Sequence, residues 1–130
     1  MSQIYILIDG GTKKQRQLIE DVTSWFVNKE LPRYKNLNIE IDLEKIDDAE
    51  GYCLEVDKRE FHIQIDKRLK GDDFVTCLFH EQTHVEQYLR NKFGIKDVKD
   101  NTNYLYEEYE IDAYIKQEKL LKEWKNATIN

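Results

Sequence analysis

Ile4 to Ile8 is a short continuous apolar run closed by Asp9-Gly10-Gly11, a pattern that predicts a buried strand entering a tight turn. From Thr12 onward, Leu18, Ile19, Val22, Trp25 and Phe26 recur at helical spacing on one face, and Pro32 marks where that helix has already stopped. Leu37, Ile39, Ile41 and Leu43 alternate with Asn38, Glu40 and Asp42, the period of a strand with one apolar face. Tyr52, Leu54 and Val56 repeat that alternation, and after Asp57-Lys58-Arg59-Glu60 it resumes at Phe61, Ile63 and Ile65, which predicts a hairpin. The strands together predict a small mixed sheet with one covered face.

Gly71-Asp72-Asp73 is a helix start signal with Asp72 or Asp73 as the cap, and Phe74, Leu78, Val85 and Leu89 continue that helix to Phe93-Gly94. Asp97 to Asn103 is polar and reads as a loop, and a last helix, charged on its outer side, runs from about Tyr104 to Trp124. The expected fold class is α+β: a small mixed or antiparallel sheet packed with an N-terminal helix, a second helix and a long C-terminal helix, in a single domain over 1–130. A chain of 130 residues with 40% hydrophobic content has material for one core and no room for a second.

Charge narrows the partners. Charged residues make up 35% of the chain with a net charge of -6, interspersed rather than blocked. Apart from Lys13, Lys14 and Arg16 there is no basic cluster, so the overall field repels phosphate backbones and no nucleic-acid partner is expected. No apolar run approaches the roughly 20 residues of a membrane span, and the N-terminus lacks a leader pattern. A cytoplasmic protein with no membrane partner is the expectation. Cys53 and Cys77 admit one bridge but read better as two reduced, buried thiols, and in that compartment the Asn126-Ala127-Thr128 sequon carries no sugar.

His80-Glu81-Gln82-Thr83-His84 fits H-E-x-x-H and lies inside the second helix, the context in which the motif has chemical meaning. Histidines four apart sit about 40° apart around a helix, so both imidazoles can reach one zinc ion while Glu81 stands beside them as a general base. The bland alternative makes them two helical histidines with ordinary surface or packing roles. Cys77 shares the face of His80 and raises the thought of a sulfur ligand, although a packed core thiol is the commoner state.

A catalytic zinc site needs a third protein ligand. His62 alternates with Phe61 and Ile63 and so shares a strand face with Gln64 and Asp66, a polar face rather than a ligand position. On the last helix Glu107, Glu108, Glu110 and Asp112 compete. Tyr106, Ala113, Leu120 and Trp124 fall on one inward stripe, and Glu110 and Gln117 occupy the two remaining positions of it. That favours Glu110 as the ligand, with Glu108 second because Glu108-x-x-x-Asp112 can also place a ligand and its supporting carboxylate. Ala113 has the small side chain that lets this helix approach the histidine helix.

These residues carry a resemblance. His80-Glu81-Gln82-Thr83-His84 followed by Glu110-Ile111-Asp112-Ala113 resembles the minimal gluzincins, small zinc metallopeptidases with a zincin-like fold, and is similar to phage and bacterial members of the SprT-like and repressor-cleaving groups. The match covers roughly Phe61 to Gln117 and rests on H-E-x-x-H. The resemblance implies His80, His84 and Glu110 as ligands of one Zn2+ per chain and Glu81 as catalytic base. It also implies a strand before the motif helix, here Phe61 to Asp66, that pairs with an extended peptide or protein substrate. Tyr114 stands where many relatives have an acidic or amide residue, which leaves the group orienting the histidines open, with Asp112 a substitute. Tyr104, Tyr106 and His62 are the candidates for a hydrogen bond to the oxyanion.

Two rival readings remain beside a peptide hydrolase. One is a non-catalytic binding module, with or without a structural metal, that docks to a host protein; Glu81 speaks against it, since a structural site needs no general base. The other is a dedicated protease for one protein, such as a repressor.

Overall fold

Two glycines turn the first strand into the first helix. Gly10 and Gly11 have φ of 84° and 79°, which side chains avoid, and a Cβ on Gly10 would stand 2.7 Å from the Leu43 carbonyl oxygen. The strand before them is β1 (Ile4–Asp9) and the helix after them α1 (Lys13–Glu30). Thr12 caps α1 in a capping box with Gln15, and Leu31 ends it one residue before Pro32. The computed structural model describes the backbone of residues 4–90 and 103–129, and the side chains in that range other than those of 103–107 and 129.

The remaining elements are β2 (Leu37–Glu44), β3 (Gly51–Asp57), β4 (Glu60–Asp66), α2 (Gly71–Leu89) and α3 (Asn103–Ile129). The fold is α+β, with a four-stranded mixed sheet in the order β1-β2-β4-β3. The β1–β2 and β2–β4 pairs are parallel, and β3–β4 is the antiparallel hairpin. The hairpin folds back so that β4 lies inside the sheet and β3 at its edge. Composition explains the choice: Phe61, Ile63 and Ile65 of β4 are buried, whereas the positions of β3 paired with them are Glu55, Cys53 and Gly51. Such residues make a poor central strand.

One face of the sheet is covered. Ile39, Ile41, Phe61, Ile63 and Ile65 pack with Ile19, Val22 and Phe26 of α1 and with Phe74, Leu78, Phe79 and Val85 of α2 in one core. Burying side chains of this size contributes about 1.5–3 kcal/mol each. The other face is open: polar Asn38, Glu40, His62 and Gln64 run down its middle, flanked by exposed Tyr5 and Leu7 on β1 and by Leu54 on β3. The Ile4 to Ile8 run is therefore not a buried strand. As an edge strand it alternates, leaving Leu7 64% exposed.

Three further expectations are corrected or bounded. Asp72 and Asp73 do not cap α2: Lys70 is the cap residue and makes no side-chain cap bond, while both aspartates lie in the first turn, where their charge suits the helix dipole. The described part of α2 ends at Leu89, so the Phe93-Gly94 stop, and the loop except Asn103, lie outside the described residues. The last helix is longer at both ends than Tyr104 to Trp124. Among the described residues no helix is long and apolar enough to cross a membrane.

α3 is clamped to the other helices. Ala113 and Leu120 are fully buried, and Lys116 forms ion pairs with Glu30 of α1 and Glu86 of α2. Trp124 meets Trp25 with ring centroids 5.7 Å apart. These contacts fix the height of α3 along α2, and with it the position of Glu110.

Candidate metal centre

His80, Glu81 and His84 lie on the stretch of α2 between the sheet and α3, and all three are buried. The imidazole planes are nearly perpendicular, at 86°, with centroids 4.9 Å apart. Across from them Glu110 Oε1 lies 3.2 Å from His80 Nε2 and 2.5 Å from His84 Nε2. Periodicity along α3 had favoured Glu110, and the structure brings it to both histidines. Glu108 is exposed, and among the described residues the group here that could hold a metal ion is His80, His84 and Glu110. Cys77 is therefore a packed thiol and not a ligand; both cysteines are free, Cys77 buried and Cys53 half-buried. Desolvation raises the pKa of both thiols.

Each histidine is held from behind by an amide. His80 Nδ1 donates to Gln117 Oε1 at 2.8 Å and His84 Nδ1 to Gln87 Oε1 at 2.7 Å. Gln87, 1% exposed, is itself fixed by donating to the Tyr109 carbonyl and to Asp112 Oδ2, each at 3.1 Å. Asp112 thus orients a ligand histidine, but through Gln87. With Nδ1 donating, the nitrogen left to face Glu110 on each ring is Nε2, the arrangement of metal-binding histidines.

The donor set fits a divalent ion. Two imidazole nitrogens and one carboxylate oxygen are the ligand types of catalytic zinc, and their atoms all lie within 4.8 Å of one another. The 3.2 Å from His80 to Glu110 is close to the roughly 3.3 Å edge of a tetrahedron with bonds of about 2.0 Å. The 2.5 Å from His84 to Glu110 is shorter than such an edge, so an ion there would have these two groups part slightly. The charges of the group act on one another. Burial of His80 opposes its charged form, yet the hydrogen bond to Glu110 and the charges of Glu81 and Glu110 outweigh it and its pKa is raised. Hydrogen bonds from His80 and His84 lower the Glu110 carboxyl to about 2.

Glu81 differs from Glu110. It accepts no hydrogen bond among the described residues, and burial pushes its carboxyl up to about 7 against the lowering charges of His84 and His80. Its room is made by Gly51, where a Cβ would stand 2.8 Å from the Gln64 carbonyl oxygen, 2.9 Å from Cys77 Sγ and 3.1 Å from Glu81 Oε2. The four groups border a cleft of about 800 Å3 between β3, α2 and α3.

Other expected residues fall elsewhere. His62 points from the open face of the sheet, where its Nε2 lies 2.6 Å from Asp42 Oδ2. It is neither a third ligand nor an oxyanion group, because its neighbours Phe61 and Ile63 take the side facing α2. With Glu40 and Asp42 it forms a separate acidic and histidine group. Tyr104 and Tyr106 have side chains outside the described residues. Tyr114 does border the cleft, its ring centroid 4.6 Å from that of His80. The strand beside the cleft is β3 rather than Phe61 to Asp66, since β4 has a neighbour on both sides and no edge to offer.

Gln87, Gly51 and Tyr114 escaped the sequence reading as site residues. Gln87 is three residues after His84, a spacing that puts it over the same face, and Gln117 stood on the inward stripe beside Glu110. No family model, curated protein or solved structure matches the chain.

Proposed function

We propose that the protein is a zinc-dependent peptide hydrolase of the minimal gluzincin kind. The observation that carries this reading is the convergence of His80 Nε2, His84 Nε2 and Glu110 Oε1 from two helices beside Glu81, a buried carboxylate without a hydrogen-bond partner among the described residues. His80, His84 and Glu110 would hold one zinc ion, which supplies Lewis acidity to water and to a peptide carbonyl.

The chain's own groups do the rest. Glu81 is the general base: a carboxyl with a pKa of about 7 both accepts a proton from water near neutral pH and returns it to the leaving amine. Gln87 and Gln117 keep each imidazole in the tautomer that presents Nε2. β3, the edge strand, offers free backbone groups to an extended peptide lying in the cleft. Tyr114 has its ring against His80 at the cleft wall and is assigned the oxyanion hydrogen bond, a role His62 cannot fill from the open face of the sheet. A site with only a structural role has no use for a base in this position, which weighs against the docking-module alternative.

Glu81→Gln tests the assignment. Protein purified without a histidine tag should contain about one zinc per chain, and the variant should keep that zinc and lose peptide hydrolysis. Full turnover in the variant refutes the base.

A further inference from the structure

The cleft beside the metal centre carries charge of one sign. Asp48, Glu50, Asp73 and Glu118 line it together with Asp72, Glu81 and Glu110, and among the described residues no lysine or arginine does. Asp72 pairs with Lys125 at 2.6 Å, and Glu110 with the two histidines. The other four, all exposed, have no cationic partner among the described residues.

The charge is also placed unevenly. Asp48 and Glu50 lead into β3 and Asp73 sits in the first turn of α2, all at the end of the cleft where α2 begins. Towards the other end, past His84, the wall is Tyr88. Register and packing agree: Gly51 pairs with Ile65, just before α2, whereas Leu54 pairs with His62, next to the Phe61 ring that meets Tyr88. Between the two ends stands Glu81, 94% buried, lining the same cleft without a hydrogen-bond donor of its own among the described residues. On the hydrolase reading it marks where the scissile bond lies, so the acidic wall stands to one side of that bond.

We infer that the cleft selects peptide segments carrying lysine or arginine on the side of the scissile bond that faces the start of α2. This specificity rests on the hydrolase reading above. A second metal ion does not fit, because no three of the unpaired carboxylates come within mutual ligating distance. Spread along a wall, they suit long cationic side chains that reach from a strand laid beside β3. Each exposed pair is weak, but several charges of one sign around a concave site focus the potential and favour a cationic segment over a neutral or acidic one. Tyr88 makes the opposite end suited to an apolar side chain.

Two measurements on the full chain test this together. Zinc-loaded protein is incubated with a proteome-derived peptide mixture and the cleaved bonds are read by mass spectrometry. Lysine and arginine should be enriched about fivefold on one side of the cut, and Glu50→Lys with Asp73→Lys should abolish the enrichment. In parallel, the Glu81→Gln protein is titrated with two labelled peptides that differ only in lysine against glutamate. The lysine peptide should bind about tenfold more tightly at about 50 mM salt, with the gap closing as salt rises. The same double charge reversal should remove the gap while lowering the melting point slightly, since Asp73 leaves the start of α2, and the milder pair Asp48→Asn with Glu118→Gln should narrow it with an unchanged melting curve. Cleavage without basic enrichment overturns the specificity and leaves the hydrolase standing. Selective binding of the lysine peptide with no cleavage by the wild-type protein sinks the hydrolase alone, and equal binding of the two peptides overturns the inference whatever is cleaved.

Discussion

Gln87 is the residue whose replacement tests most about how the centre is built. In Gln87→Leu the side chain stays bulky, one bond shorter, and loses three hydrogen bonds: one from His84 Nδ1, one to the Tyr109 carbonyl and one to Asp112. The position is 1% exposed, so water does not replace them. Leaving a buried donor such as His84 Nδ1 unpaired costs about 1–3 kcal/mol, and releasing a metal-ligating histidine from its support typically lowers metal affinity by about 10–100-fold. The zinc dissociation constant, measured by competition with a chelator of known affinity, should rise by that factor, and the chelator-treated protein should unfold about 1–3 kcal/mol more easily. Gln87→Glu separates the two effects: its carboxylate still accepts from His84 but cannot donate to Tyr109 or Asp112, so affinity should recover while stability does not. Zinc binding in Gln87→Leu at the wild-type level would show that His84 is not held through this amide.

Glu110→Ala should reduce zinc occupancy well below one per chain while Glu108→Ala, an exposed change on the same helix, leaves it intact; metal analysis of the two proteins distinguishes them. Gly51→Ala forces a methyl to within 2.8 Å of a backbone oxygen and should cost about 1–3 kcal/mol by denaturant unfolding, with hydrolysis falling more than zinc content as Glu81 is pushed aside. Asp66, paired with Arg68 at 2.6 Å, has its carboxyl held below the usual carboxylate range by hydrogen bonds from Arg68. The folded-state pKa is thus the lower one, so its contribution is present above the unfolded value of about 3.9 and is lost as pH falls further. Arg68→Met should lower stability in the neutral region, where the pair contributes, and flatten the acid limb, with little change once Asp66 is protonated in both states; an unaltered acid limb would count against the pair.

Local signals made most of the architecture legible. The alternation in β2 and the helical stripe of α1 each have one low-energy outcome, and they appear in the fold as expected. The place of Glu110 opposite the two histidines was legible for a similar reason, since a helix facing another must put its stripe inward and Ala113 sits on that stripe. Strand order was not. β3 and β4 have similar alternation, and which becomes the edge depends on what α2 can pack against, Gly51 and Cys53 or Ile63 and Ile65. The same tertiary choice puts β3, and not Phe61 to Asp66, beside the cleft, whereas the polar face of His62 was legible from its alternation with Phe61 and Ile63. Ile4 to Ile8 misled because an unbroken apolar run says nothing about which side of a sheet stays bare. Gln87 was hidden because an amide carries no chemical signature until its partners are known.

The measurement closest to the central claim is anomalous scattering at the zinc edge from a crystal of protein purified without a histidine tag. One peak bonded by Nε2 of His80, Nε2 of His84 and Oε1 of Glu110, open towards the cleft that holds Glu81, is the predicted result. A crystal grown with zinc that shows no peak there, or shows it instead at Glu40, Asp42 and His62 on the open face of the sheet, would contradict it.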